Sequence, residues 1–297
     1  MLAVEKMKRL GLPEWITNWL FSYLTGRTAS VNVLGSLSYC FPIPSGVPQG
    51  SILGPLIFVL FVNDICDCIA SEKLLFADDL KIFRTISSAS DRDALQRDVD
   101  NLLYWCLVNG MEVNENKCNI ITFSRLRNPQ LFTYRINESN LKRCDSIKDL
   151  GVSIDSKFRF NEHVNTITSK TYAILGFLKR NASDFEDIYA LKTLYCSLIR
   201  SLLEYAAPVW APYHTGLINK IESIQRSFVR FALRRLPWQD PLHLPAYENR
   251  CQLIQLNTLV KRRVLSQRLF VYDLLTDVID CSYLLEQLNI HVPRRYL

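Results

Sequence analysis

Two adjacent carboxylates, Asp78 and Asp79, lie between short apolar runs in the segment from Leu74 to Phe83. Apolar runs on both sides of such a bend are typical of a tight β-hairpin. Like charges this close repel each other and resist burial, so bound cations are the most direct explanation for them. Hard divalent ions such as Mg²⁺ bind carboxylate oxygens together with substrate phosphates, as in nucleotidyl transfer. The alternative is an ordinary turn, since Asp is a favoured turn residue.

A loop rich in glycine and proline, from Ser45 to Pro55, precedes the acid pair. An apolar stretch from Leu56 to Ile65 follows it directly. Glycine lets the backbone approach a bound nucleotide closely, and the apolar stretch indicates a buried helix. The sequence therefore predicts a rigid loop beside a nucleotide.

Four short motifs follow one another along the chain: Gly46-Val47-Pro48-Gln49-Gly50-Ser51, Phe76-Ala77-Asp78-Asp79, Asn114-x-x-Lys117 and Leu150-Gly151-Val152. In this order they resemble the reverse transcriptases of non-LTR (LINE-type, jockey-like) retrotransposons. The segments from Leu202 to Ala206 and from Asp280 to Leu285 also resemble that family. The resemblance thus covers essentially the whole chain.

The resemblance implies an α+β fold: a partial polymerase palm, with an antiparallel sheet and packed helices, followed by an α-helical thumb. It places the palm at residues 1–156, the thumb at 157–236 and a helical carboxyl-terminal extension at 237–297. It also implies an RNA-directed DNA polymerase that transfers nucleotides with two Mg²⁺ (or Mn²⁺) ions. The substrate would be a dNTP, and the partners would be an RNA template and a DNA primer.

The resemblance implies roles in catalysis, template binding and primer binding. The residues are Asp78, Asp79 and Lys117 for catalysis, with Asp78 and Asp79 as metal ligands; Arg27, Gln49 and Gly50 for the nucleotide and template; and Leu150 and Gly151 for the primer grip. Lys117 would act on the leaving pyrophosphate as an acid or electrostatic clamp. Simpler roles remain open, with Arg27 as a water-facing turn residue, Gln49 as a loop cap and Lys117 as a surface lysine.

One carboxylate of the family pattern is missing. The family has a further metal-binding Asp on a strand upstream of the glycine loop, whereas residues 1–63 contain only the acids Glu5 and Glu14. The chain is thus expected to begin downstream of that Asp and of the fingers. We expect no polymerase activity from it alone, because metals misplaced by about 1 Å cost about a hundredfold in rate. The alternatives are a non-catalytic nucleic-acid-binding module and a relic without function.

Helical spacing predicts the elements around these motifs. The segment from Met1 to Leu24 predicts two helices broken at Gly11-Leu12-Pro13, with Trp15 and Trp19 on one face with Leu20. A helix from about Ser90, capped by Ser90 or Asp91 and ended by Gly110, is expected to pack behind the acid-bearing hairpin. Strands are predicted at Ala29–Val33 and Cys118–Phe123. Ile147–Asp155 is predicted as a strand with a glycine break, which resembles the primer-gripping hairpin of the family.

A helix predicted from Lys220 to Leu236 presents Arg226, Arg230 and Arg234 at i,i+4 spacing, opposite an apolar face. Three aligned guanidiniums suit the phosphates of one nucleic-acid strand, and a solvated face explains them equally well. A second basic cluster is Lys261-Arg262-Arg263, and the segment from Pro237 to Pro245 predicts a linker.

Composition indicates an ordinary globular protein, with 48% hydrophobic and 22% charged residues. Basic residues outnumber acidic ones by 19 to 12 in residues 157–297, against 16 to 17 in residues 1–156, which predicts that the second half holds a polyanion. Nine cysteines without Cys-x-x-Cys spacing predict a reduced compartment. With no signal peptide, and no apolar run near the ~20 residues that span a bilayer, the sequence predicts an intracellular protein of cytoplasm and/or nucleus without a membrane partner.

Overall fold

Residues 2–234 and 245–288 are described by the structure, a computed structural model. Contacts divide the chain into two units: Met1–Ile120 with Gln130–Arg143, and Ile121–Pro129 with Cys144–Leu297. The predicted palm–thumb boundary after residue 156 stays a prediction. The predicted boundary after residue 236 lies outside the described residues, as does most of the predicted linker.

The helices, in chain order, are α1 (Leu2–Arg9), α2 (Glu14–Leu24), α3 (Leu53–Val62), α4 (Ala89–Val108), α5 (Asn161–Asn181), α6 (Ile188–Tyr195), α7 (Ser201–Glu204), α8 (Ala207–Trp210), α9 (Thr215–Leu233), α10 (Tyr247–Leu253), α11 (Leu259–Leu275) and α12 (Ser282–Glu286). Turns of 3₁₀ helix lie at Asn63–Cys68 and Glu115–Lys117, and a π-helical turn at Cys196–Arg200 joins α6 to α7. None of these helices, within the described ranges, is long and apolar enough to cross a bilayer.

The strands are β1 (Thr28–Ala29), β2 (Asn32–Val33), β3 (Ser36–Leu37), β4 (Phe41–Pro42), β5 (Glu72–Phe76), β6 (Asp79–Phe83), β7 (Asn119–Ile120), β8 (Arg135–Ile136), β9 (Ser139–Asn140), β10 (Lys142–Arg143), β11 (Ser146–Asp149) and β12 (Val152–Asp155). They form the pairs β1–β4, β2–β3, β5–β6, β8–β9, β11–β12 and β7–β10, of which only the last is parallel. The predicted mixture of helix and antiparallel sheet is confirmed. Across the described ranges, however, the strands form two-stranded pairs and not one continuous sheet.

Two predicted strands are shorter than expected. Ala29–Val33 is split between β1 and β2, which pair with different partners. Within Cys118–Phe123, strand β7 comprises Asn119 and Ile120. The predicted glycine break in Ile147–Asp155 is confirmed: Gly151 lies in the turn of an antiparallel hairpin between β11 and β12.

The first unit has two apolar cores. One joins α1, α2 and α3 through Met7, Leu20 and Ile57. The predicted break between α1 and α2 is confirmed, but Trp15 and Trp19 are 73% and 53% exposed, so only Leu20 of that predicted face enters the core. The second core packs Trp105 and neighbouring side chains of α4 against the 3₁₀ turn and the β5–β6 hairpin, as predicted for this helix.

The second unit has one larger core, built from α5 to α11 and β12. Helix α9 contributes Ile221, Ile224 and Phe228, all fully buried, as its apolar spacing predicts. This helix begins at Thr215, earlier than predicted, and the last two residues of the predicted range lie outside the described residues.

Candidate functional site

The acid pair lies at the bend of the β5–β6 hairpin. Phe76 pairs with Asp79, which leaves Ala77 and Asp78 as a two-residue loop. Ala77 has φ +53°, a left-handed conformation that tight hairpin bends require. Asp78 and Asp79 are both exposed, and neither carboxylate forms a hydrogen bond or ion pair with another described residue. The predicted hairpin with acids at its bend is therefore confirmed, and the carboxylates are open to solvent.

Helix α4 holds the base of this hairpin through a buried carboxylate. Asp98 is 3% exposed and accepts hydrogen bonds from the backbone N–H groups of Ala70 and Ser71, each at 2.9 Å. Burial by itself raises the pKa of Asp98, but the hydrogen bonds from Ser71 and Ala70 outweigh it and the net pKa is lowered. Asp98 thus stays ionised while it fixes the start of β5.

Sequence reasoning missed Asp98, although a signal was present. Asp98, Leu102 and Trp105 follow i, i+4, i+7 spacing, so the acid shares a helix face with core residues. An acid on an apolar face needs a buried partner, and here backbone N–H groups supply it.

The end of the hairpin is tied to the start of the same helix. Arg84, just after β6, donates from Nη1 to the Ser71 hydroxyl at 3.3 Å, and its Nε lies 3.5 Å from Asp91 Oδ1. Asp91 forms a capping box with Ser88 at the helix start. The N-cap is therefore Ser88, and the predicted caps Ser90 and Asp91 lie inside the first turn. Together these contacts fix both hairpin strands at the end remote from the bend.

The glycine loop is held by Arg27. Its Nε donates to the carbonyl oxygen of Leu24 at 3.0 Å, and its Nη2 donates to those of Ser45 at 2.9 Å and Gly46 at 2.6 Å. The guanidinium thus joins the end of α2 to the start of the loop. Its Nε and Nη2 groups therefore donate to the protein backbone. The predicted contact of Arg27 with the template stays a prediction.

Two predicted residues in the middle of this loop face solvent. The Gln49 side chain is exposed and forms no hydrogen bond with another described residue. Gly50 has φ +80°, and a Cβ added there would meet no atom within 4 Å. The backbone at Gly50 is therefore accessible to a ligand, as the prediction requires.

Two other charged side chains of the first unit, Asp64 and Lys117, differ in whether they are free to bind a ligand. Asp64 receives a hydrogen bond from Lys6 Nζ at 2.6 Å, and Lys6 is itself largely buried against the rings of Phe61 and Trp105. Asp64 is thus engaged by a structural lysine. Lys117 ends an exposed 3₁₀ turn, and no hydrogen bond or ion pair within the described ranges joins it to the acid pair, so its catalytic role stays a prediction.

The ligand set for divalent ions is incomplete. Asp78 and Asp79 supply oxygen ligands of the type that Mg²⁺ prefers. Among the residues that the structure describes, however, no group of three or more His, Cys, Asp or Glu side chains could hold a metal ion. Two exposed carboxylates do not by themselves fit a two-metal centre, which needs several fixed ligands.

In the second unit, the β11–β12 hairpin carries the predicted primer grip. Asp149 pairs with Val152, so Leu150 and Gly151 form a two-residue loop. Their φ angles are +43° and +88°, the positive signs at both positions that a type I′ turn requires. A Cβ at Gly151 would lie 3.4 Å from Tyr205 Cε1, an ordinary contact distance, so it is the positive φ that favours glycine here. The predicted close approach of nucleic acid at Gly151 remains untested.

The three arginines of α9 are not equivalent. Arg230 and Arg234 are exposed, whereas Arg226 is half-buried with its guanidinium 5.1 Å from the centre of the Tyr247 ring. Lys179 of α5 also faces this helix. Burial, followed by the positive charges of Arg230 and Arg234, lowers the pKa of Lys179. The end of α9 is therefore a cluster of like charges in which Arg230 and Arg234 are the available members.

The second basic cluster is mainly structural. Arg262 forms a two-point ion pair with Glu204, with Nη2–Oε2 at 2.8 Å. Arg263 is 5% exposed, and its Nη2 lies 4.0 Å from the buried carboxylate of Glu222. Both arginines thus bind the helices on which α11 packs, and only Lys261 remains mostly exposed.

A family model described as reverse transcriptase (RNA-dependent DNA polymerase) matches residues 2–177. A probable RNA-directed DNA polymerase from transposon X-element of Drosophila melanogaster is 27% identical over 228 residues, covering 74% of this chain and 25% of the relative. The RNA-directed DNA polymerases from mobile element jockey of Drosophila melanogaster and Drosophila funebris are 26% and 27% identical, each covering 78% of this chain and 26% of the relative. The chain thus spans about a quarter of the length of these curated relatives. No solved structure matches it.

Proposed function

The chain belongs to the reverse transcriptase family, and on that premise we propose that it forms the palm and thumb portion of the RNA-directed DNA polymerase of a non-LTR retrotransposon. Asp78 and Asp79 are the metal-binding acids of this proposal, and Lys117 acts on the leaving pyrophosphate. Gln49 and Gly50 would lie at the nucleotide and template, with Arg27 holding their loop, and Leu150 and Gly151 would lie at the primer. Arg230 and Arg234 would lie along the nucleic-acid backbone, whereas Arg226 packs on Tyr247.

One observation carries the proposal: two exposed, unpaired carboxylates at a hairpin bend whose base is fixed to α4. Neighbouring carboxylates without a partner do not stabilise the fold, because they repel each other and contact no cation of the described chain. A rigid base keeps the bend in place, which a site for charged ligands needs. When bound, divalent ions would supply charge neutralisation to the dNTP phosphates at these acids.

We further propose that these 297 residues alone do not polymerise DNA. The family pattern calls for a third acid upstream of the glycine loop, and residues 1–63 offer none at a matching motif. Asp64, the next acid along the chain, is held by Lys6. Primer extension on an RNA template with Mg²⁺ or Mn²⁺ tests this directly. We expect no extension, and template-dependent incorporation that Asp78→Asn abolishes would contradict the proposal of inactivity while supporting the role of Asp78.

A nucleic-acid-binding module without catalysis is the second candidate. It is favoured by the excess of basic residues in residues 157–297 and by the exposed charges of Arg230 and Arg234 on α9. Binding of an RNA–DNA duplex should weaken steeply as salt rises, because phosphate contacts release counterions.

Variants of α9 separate phosphate contact from fold. Arg230→Ala should weaken binding for all sequences alike and reduce the salt slope by about one. Arg226→Ala is the comparison within the same helix, since its guanidinium packs on Tyr247, and it should reduce stability more than the salt slope. Absence of binding at low salt by a cooperatively folded chain would contradict this candidate. Absence of a cooperative unfolding transition would instead favour a relic.

A further inference from the structure

The turn at Leu150 and Gly151 has an unfavourable backbone conformation at its first residue. Leu150 has φ +43°, in the left-handed region that is unfavourable for residues other than Gly, Asn and Asp. Such residues persist where surrounding contacts fix them, and they are concentrated at functional sites. A specific contact is therefore expected to hold Leu150.

The contact is made by Tyr205. Its hydroxyl donates to the carbonyl oxygen of Leu150 at 2.9 Å, across 55 residues of sequence. Its ring lies against Gly151, where a Cβ would be 3.4 Å from Cε1. One side chain thus fixes the carbonyl of the first turn residue and contacts the second.

Tyr205 is fixed in turn by the core of the second unit. Its carbonyl oxygen accepts a hydrogen bond from Trp210 Nε1 at 2.7 Å, and Trp210 is fully buried. The Trp210 ring packs edge-to-face on His163, with centroids 4.9 Å apart. His163 Nδ1 accepts the backbone N–H of Ser153, in β12 of the same hairpin, at 3.2 Å. The contacts form a closed path that begins at the turn and ends at its own second strand.

We propose that Tyr205 is the positioning residue of the Leu150–Gly151 turn, which it holds in the conformation that receives the primer strand. The inference rests on the proposed function, in which this turn contacts nucleic acid. A two-residue exposed turn has other accessible conformations, and a site that contacts a phosphate backbone must be held within about 0.5 Å. Tyr205 supplies that restraint from the core, through Trp210 and His163.

Hydrogen exchange of residues 146–155 tests the restraint without any ligand. Tyr205→Phe removes only the hydroxyl, and the loss of one hydrogen bond should speed exchange at the turn about fivefold. Tyr189→Phe is the matched control, because Tyr189 is 62% exposed and its hydroxyl bonds to no described residue. Unchanged exchange in Tyr205→Phe would overturn the proposal.

A second substitution tests whether backbone strain at Leu150 opposes the restraint. Asn adopts the left-handed region more readily than Leu, so Leu150→Asn should slow exchange at the turn. In the double variant, Leu150→Asn should offset part of the acceleration caused by Tyr205→Phe, because both substitutions change the stability of the same turn. Exchange in the double variant as fast as in Tyr205→Phe alone would contradict the proposal.

Binding then separates this inference from the proposed function. In a fluorescence anisotropy titration with an RNA–DNA duplex oligonucleotide, at a temperature where every variant is folded, Tyr205→Phe should raise Kd severalfold and the Tyr189→Phe control should leave it unchanged. If the unmodified chain binds no duplex at low salt, the proposed function fails, and the exchange cycle still decides whether Tyr205 positions the turn. If it binds, and Tyr205→Phe alters exchange but not Kd, the inferred link from the turn to the primer is overturned.

Discussion

Asp98 Oδ2 accepts the backbone N–H of Ser71 at 2.9 Å, and so the middle of α4 fixes the start of the strand that leads to the acid pair. Asp98→Asn should destabilise the first unit by about 1–3 kcal/mol, because the amide nitrogen cannot accept the second N–H and leaves a buried donor unpaired. Urea unfolding measures this. Asp100→Asn is the control two residues away, exposed and bonded to Gln96, and should change stability little. Equal effects of the two variants would show that Asp98 does not hold the hairpin.

The stability of the second unit should depend on pH through His163. Burial lowers the pKa of His163, and its Nδ1 accepts a hydrogen bond from Ser153, so the folded state holds the neutral ring. The unfolded chain takes up a proton below about pH 6.5, and stability is therefore lost as pH falls from that value through the lower folded pKa. The loss should reach at most about 1.4 kcal/mol per pH unit.

The measurement for His163 is urea unfolding between about pH 7 and 5, above the range where carboxylates titrate. His163→Gln should flatten the profile in this window while lowering stability throughout it. An unchanged slope in the variant would assign the pH dependence to other groups.

The hydrogen bonds of Arg27 should slow hydrogen exchange in the glycine loop. Arg27→Lys keeps the charge but replaces the planar fork, so it cannot hold the carbonyl oxygens of Leu24, Ser45 and Gly46 together. Hydrogen exchange of residues 45–50 should be faster in the variant, by about tenfold for two lost bonds to a charged group. Arg9→Lys, at an exposed arginine of α1, is the control. Unchanged exchange would mean that the loop holds its shape without Arg27.

Two ion pairs of α11 should contribute differently to stability, because they differ in burial. Glu204→Gln breaks the two-point pair with Arg262, which is about one-third exposed, and should cost about 1–2 kcal/mol. Glu248→Gln breaks the pair with Lys261, where both side chains are at least 60% exposed, and should cost less than about 0.5 kcal/mol. Chemical unfolding of both variants measures the difference. A larger loss in Glu248→Gln would contradict the assignment of Glu204 as the structural acid.

Local patterns along the sequence were enough to find several elements. Apolar runs around Asp78 and Asp79 predicted the hairpin with acids at its bend, since strand pairing across a two-residue loop is a local interaction. Helical spacing predicted α4 and α9, since residues three and four positions apart share one face of a helix. It failed for Trp15 and Trp19, because a periodic pattern does not say which apolar face finds a partner.

The sequence by itself determined the family, through four ordered motifs, and the place of the acid pair at a bend. Only the tertiary structure decided which polar side chains hold those motifs: Asp98 under one hairpin and Tyr205 at the turn of the other. Both act on backbone groups far away in sequence, and every residue carries the same N–H and C=O, so no residue type marks the partner in advance. Helical spacing likewise made Arg226 and Arg230 look equivalent. In the fold they differ, because Arg226 packs on Tyr247 and Arg230 is exposed to solvent.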